Sequence, residues 1–117
     1  NCSPSHPTPV LQIHGTLDLT VKFDGDSTLN MEPIDNVLNY WSTYNSCDPT
    51  PALMVIDYPD FSIDYKKYNN CLNNVNVELY KISNMAHTWP RKNNYGISAT
   101  EEVWNFVSQF DIYGKID

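Results

Sequence analysis

Apolar positions recur along this chain at three spacings, and each spacing predicts a different kind of element. The run Val10-Leu11-Gln12-Ile13 is almost continuously apolar. It predicts a short strand, Val10–His14, buried on both faces and therefore central and parallel in its sheet. Ile34, Val37, Leu38 and Trp41 recur at helical spacing behind Pro33. They predict a core-packed helix from about Pro33 to Tyr44, with the proline in its first turn. Period-two alternation then takes over. Phe61, Ile63 and Tyr65 alternate with Ser62 and Asp64, and Val77 and Leu79 alternate with Glu78 and Tyr80. Leu53–Tyr58 and Phe61–Tyr68 are expected as paired extended segments around Pro59-Asp60, and Val75–Ile82 as a further strand. The simplest topology runs Phe61–Tyr68 back antiparallel along Val75–Ile82. Helical spacing returns in Ala99, Val103, Phe106, Val107 and Phe110, the expected buried stripe of a helix from Ala99 to Phe110. Ser98-Ala99-Thr100-Glu101 opens it as a capping box, and Gly114 lies just past its end.

Between these elements the chain is polar. Asn1–Pro9 carries Pro4, Pro7 and Pro9 and reads as an extended lead-in, more like a linker emerging from preceding sequence than a natural start. Gly15 to Asn30 is a long loop with Asp18, Asp24, Gly25 and Asp26. Its Asp-Gly-Asp run lacks the remaining ligands of an EF-hand, so calcium is a weak signal. Asn69–Asn74 is a turn, and Pro90–Gly96 a surface loop. Neither an internal repeat nor an interdomain linker interrupts the 117 residues, which make one domain at most. A strand buried on both faces needs neighbours on each side, and few candidates are present. That is a physical reason to expect further sequence.

The formal charge of −7 is spread along the chain rather than gathered in a block. It disfavours nucleic acid or an anionic membrane as partner. There is no run of 18 apolar residues, and no signal-peptide pattern opens the chain. Scarce lysine and arginine with plentiful asparagine and tyrosine fit a secreted or periplasmic protein. Of the three cysteines, Cys47 and Cys71 flank one compact insertion and are the expected disulfide, worth roughly 3 kcal/mol through loop closure. Cys2 is then free, or bonded to an upstream segment. No CxxC or HxxxH spacing points to zinc, and no metal or cofactor is expected.

Two residues carry the candidate chemistry. His87 sits on the loop just past the strand that ends at Ile82, and Asp18 sits just past the strand that ends at His14. A carboxylate and an imidazole so placed are two members of a Ser-His-Asp triad, in which the acid fixes the imidazole's tautomer and stabilises the imidazolium. Their order, acid before histidine, is that of α/β-hydrolases, in which the serine precedes both on a G-x-S-x-G turn. Among the glycines Gly15, Gly25, Gly96 and Gly114, the nearest approach is Gly96-Ile97-Ser98-Ala99-Thr100. It lacks the second glycine and a preceding strand, and Ser98 serves better as a helix N-cap. The oxyanion-hole amides, which come from the residue after the nucleophile and an earlier loop, are missing as well.

Taken together, Pro9–Asp18, Trp41–Cys47, Tyr68–Cys71 and Met85-Ala86-His87-Thr88-Trp89-Pro90 resemble the C-terminal part of a known family. It is the secreted polyhydroxybutyrate depolymerase and feruloyl esterase-like group of α/β-hydrolases. The resemblance runs over nearly the whole chain. It implies the C-terminal portion of a hydrolase sheet with packed helices and a small antiparallel extension, lacking the nucleophile-bearing N-terminal part. It maps the triad acid onto Asp18, the triad base onto His87 and the paired cysteines onto Cys47 and Cys71. Two departures blur substrate choice without removing a reacting group. Ala86 stands where the family usually has glycine, and Val21-Lys22-Phe23 where it tends to have Val-Pro-Tyr.

The expected function is therefore carboxylic ester hydrolysis, with the serine upstream and this chain inactive alone. The implied substrates are polyesters, feruloylated polysaccharide or acetylated xylan. Trp89 either lines the substrate pocket or packs under the loop and shields the Asp–His hydrogen bond. His14 is expected to bond its ring to backbone near the strand end, and His6 carries no signal. Two alternatives stand beside this reading. One is a non-catalytic secreted carbohydrate-binding module whose exposed Trp and Tyr residues stack on sugars. The other is a metal site built from His14, Asp18 and His87.

Overall fold

A computed structural model describes residues 2–117. Four strands form one mixed sheet: β1 (Val10–Gly15), β2 (Ala52–Asp57), β3 (Ser62–Tyr68) and β4 (Val77–Ile82), in the order β1-β4-β3-β2. β1 and β4 run parallel, with Gly15 beside Ile82, and the other two pairings are antiparallel. The expected antiparallel return of Phe61–Tyr68 along the next strand is thus present. Of the two neighbours that a central position needs, the first strand has one. β1 pairs in parallel with β4 alone and lies at the edge of the described sheet, while β4 and β3 each lie between two strands. An apolar run reports that a strand's faces are covered and says nothing of its edges, so the two placements look alike in sequence.

The helix α1 (Ile34–Tyr44) starts at Pro33 as expected. Its Ile34 and Leu38 join Phe23, Val77 and Leu79 in the core on one sheet face, with Trp41 packed against them. On the other face Ile63, Ile82 and Met85 pack with Ile13, Phe61 and Tyr95. That face also carries polar groups. The Tyr65 hydroxyl donates to the buried Glu78, and the Tyr80 hydroxyl donates to Glu102 at 2.8 Å. Burial, reinforced by those carboxylates, pushes both phenols up from their ordinary range.

Near the C-terminus three expectations change. The Pro90–Gly96 loop contains a one-turn helix, α2 (Lys92–Tyr95). α3 (Ala99–Val107) begins at Ser98, whose hydroxyl accepts from the Glu101 N–H, but the reciprocal half of the capping box is absent because Glu101 pairs with Lys92 at 3.2 Å. The helix ends at Val107, which is exposed, and Phe110 instead opens a small hairpin of β5 (Phe110–Asp111) and β6 (Gly114–Lys115). Gly114 has φ +121°, and a Cβ there would meet the Asn73 carbonyl at 2.3 Å, so only glycine lets the hairpin dock on the Leu72–Asn74 turn.

The disulfide joins Cys47 and Cys71, across the excursion that carries β2 and β3, and Cys2 is free and exposed. The described part of the lead-in is held down rather than hanging free. Asn45, fully buried at the end of α1, accepts from the Thr8 N–H at 2.8 Å and donates to the Thr8 carbonyl at 2.6 Å. Tyr40 and Tyr44 donate to the Cys2 and Pro4 carbonyls. No helix among the described residues is long and apolar enough to cross a membrane.

Candidate active site

The parallel pairing of β1 with β4 brings two loops out of the sheet side by side. They are stapled together immediately beyond the strands: the Thr16 N–H donates to Ile82, the Leu17 N–H to Met85 and the Asn84 N–H to the Thr16 hydroxyl, each at 3.0 Å. Gly15 permits this approach, because a Cβ there would lie 2.0 Å from the Met85 carbonyl oxygen. Asp18 and His87, 69 residues apart in sequence, meet on this stapled platform.

The Asp18 carboxylate is buried and saturated. Oδ1 accepts from the Thr20 and Val21 N–H groups at 2.9 and 2.8 Å, and Oδ2 accepts from His87 Nδ1 at 2.7 Å. Burial raises its pKa, but the Val21 amide, the His87 ring and the Thr20 amide outweigh burial and hold the group below the ordinary carboxylate value. With Nδ1 donating to the carboxylate, His87 presents Nε2 as its proton-accepting nitrogen. The side chain is 58% exposed against 6% for Asp18. The pair therefore has one fixed, dry end and one end open to a reacting group.

His14 plays a supporting part. Its Nε2–H donates to the Val21 carbonyl at 2.6 Å, and Nδ1 accepts from the Gln12 side-chain amide at 3.0 Å. Nε2 also lies 3.5 Å from Asp18 Oδ2. The ring thus holds the segment that returns two amides to Asp18. Its nitrogens are committed, which removes the lone pair that a metal site of His14, Asp18 and His87 would need. Asp26, in the loop weighed for calcium, is likewise occupied. It caps the short helix Ser27–Leu29, and hydrogen bonds from Lys22 and Thr28 lower its pKa to about 2.

A cleft of about 490 Å³ opens over the pair, lined by Gln12, Val21, Met85, Thr88 and Trp89 among others. The Trp89 ring borders it and is half exposed, with its Nε1–H donating to Thr100 at 3.1 Å. It does not lie under the loop. No serine or cysteine is among the residues lining this cleft, and Ser98 is occupied as the α3 cap.

Sequence reasoning missed Gln12, Thr20 and Val21. Asp18-Leu19-Thr20 carries the signature of an Asx turn, in which the carboxylate accepts from the amide two residues on, and that signal was available. No model of a known protein family matches the chain, and no curated protein matches it.

Proposed function

We propose that this chain supplies the acid and the base of a serine-type carboxylic ester hydrolase whose nucleophile belongs to a preceding segment. The observation that carries the reading is the 2.7 Å hydrogen bond from His87 Nδ1 to a buried, doubly amide-bonded carboxylate, with the other ring nitrogen facing a cleft. That is the division of labour a triad requires. Added support comes from the resemblance of the HGTLD and HTWP stretches to the polyhydroxybutyrate depolymerase and feruloyl esterase-like enzymes. The open edge of β1 beside the apolar groove between it and α3 (Leu11, Ile13, Val103, Phe106, Val107) fits a further strand there. The disulfide fits an oxidising, secreted or periplasmic setting.

In the complete enzyme a serine hydroxyl attacks the ester carbonyl while His87 Nε2 takes its proton. The proton passes to the leaving alcohol, and water releases the acyl group by the same route. Asp18 keeps the ring in the required tautomer throughout. Trp89 forms one wall for the acyl or aromatic part of a polyester, feruloyl or acetyl ester.

The test is hydrolysis of a p-nitrophenyl ester. The chain alone should give no saturable turnover. Joined to its nucleophile-bearing segment it should be active, with His87→Ala lowering kcat on the order of 10⁶-fold and Asp18→Asn on the order of 10⁴-fold. Saturable turnover by the chain alone that His87→Ala abolishes overturns the upstream nucleophile. The exposure of Trp89, Trp104 and Tyr113 favours a second reading, a carbohydrate-binding module. It is supported instead if the chain binds a polysaccharide, loses binding on Trp89→Ala and keeps it on His87→Ala.

A further inference from the structure

Asp18 Oδ2 has two imidazoles beside it. His87 Nδ1 donates to it at 2.7 Å, and His14 Nε2 lies 3.5 Å away. A hydrogen bond between charged partners is roughly twice as strong as a neutral one, so the charge on each ring decides which of them holds the oxygen. A neutral His14 gives its single proton to the Val21 carbonyl at 2.6 Å and leaves Oδ2 to His87. An imidazolium at His14 would instead compete for that oxygen from 3.5 Å. The order of the pair therefore turns on the protonation of His14.

That protonation is governed at the far side of the ring. Residues two apart on a strand share a face, so β1 carries Gln12 and His14 side by side. The Gln12 side-chain amide donates to His14 Nδ1 at 3.0 Å. A carbonyl such as that of Val21 can only accept, so Nε2 carries a proton. An amide NH2 can only donate, so Nδ1 carries none. The groups packed around the ring pull in both directions. Lys81 stands opposite His14 on β4, with its ammonium over the Phe23 ring at 4.6 Å, and that ring meets His14 edge-on at 5.9 Å. This neighbouring cation opposes a second one. Asp18, on the loop beyond β1, favours a cation and would draw a second proton onto His14 wherever Nδ1 is left open to take it.

We propose, resting on the reading of Asp18 and His87 as triad acid and base, that Gln12 is a positioning residue: its amide keeps His14 neutral and thereby leaves Asp18 Oδ2 to His87. Gln12 also lines the cleft, so a loss of turnover by itself would not separate positioning from contact with substrate. The rings report the difference directly.

Long-range ¹H–¹⁵N correlation NMR of the chain alone distinguishes protonated from bare ring nitrogens. At neutral pH the parent should show His14 protonated at Nε2 and bare at Nδ1, with His87 protonated at Nδ1. Gln12→Glu puts an acceptor at Nδ1. Both His14 nitrogens should then carry protons, and His87 should lose its preference for Nδ1–H. Gln12→Met keeps the length but donates nothing, and should move the second protonation of His14 to higher pH than in the parent. Circular dichroism checks that each variant is folded, and either variant alone decides the matter. A parent whose His87 Nδ1 is bare overturns the acid–base pair and this proposal together. With that proton present, the pair stands and the role of Gln12 falls on any of three results: an unchanged His14 in Gln12→Glu, a doubly protonated His14 beside an unchanged His87, or an unmoved His14 titration in Gln12→Met.

Discussion

At Asp18 a single side chain serves two masters, the local turn and a residue 69 positions away. Its two bonds to Thr20 and Val21 are local and form whenever the turn forms, so the carboxylate is oriented before His87 arrives. The depressed pKa sets a sign for the pH dependence. A carboxyl that holds its proton less tightly when folded adds stability above its unfolded pKa, and that stability is lost as pH falls through the folded value. Urea unfolding should therefore show the advantage of the parent over Asp18→Asn constant near neutrality. The gap should shrink once pH drops below 3.8 and on toward the lower folded value. A gap that does not change with pH would mean that Asp18 acts through packing alone. The residues that sequence could not reveal at this scale act over distance. Asn45 reads as a helix stop, and nothing near it in sequence announces that its amide will hold Thr8.

Among elements, those with a clear period were legible and their ends were not. α1 and the alternating β3 stand where their apolar spacing put them, because each buries one stripe or one face. β4 keeps its expected place but is covered on both faces, by Val77 and Leu79 on one and Ile82 on the other. The spacing of Val103, Phe106, Val107 and Phe110 runs smoothly through the true end of α3. Phe110 still contacts Phe106, with ring centroids 5.1 Å apart, from outside the helix. Periodicity alone cannot distinguish such a contact from another helical turn. β2 is the least protected element, attached through β3 and closed off at its base by Cys47–Cys71. Replacing both cysteines by serine should cost about 3 kcal/mol in urea unfolding, while Cys2→Ser, at an exposed free thiol, should leave stability unchanged. Equal losses from the two variants would remove any structural role particular to the bridge.

Across the whole molecule, the site is where two ends of a parallel pair emerge, and the lead-in is part of the body. Asn45→Ala leaves the Thr8 N–H and carbonyl without their partner and should cost about 2 kcal/mol. Hydrogen exchange at Thr8 should quicken tenfold or more. Unchanged exchange would show that the tyrosine contacts alone hold the lead-in. The Asp18–His87 pair was legible because each residue follows a strand that ends abruptly. The mixed sheet was legible because both strand periods occur, whereas the sheet's order was not, since nothing in an apolar run says which strand stands beside it.

The route the backbone takes between Asp18 and His87 has a kinetic corollary. His87 emerges from synthesis long after Asp18, and everything between must be looped out before the two can touch. The Cys47–Cys71 bond offers a short cut past 24 residues of that 69-residue path. Because loop-closure entropy grows only with the logarithm of length, the short cut eases the meeting by only about 0.4 kcal/mol. Oxidation therefore disciplines the β2–β3 excursion and hardly hurries the encounter. The meeting of Asp18 and His87 is left to the ladder between β1 and β4, and a reducing environment would loosen the arm long before it parted the pair.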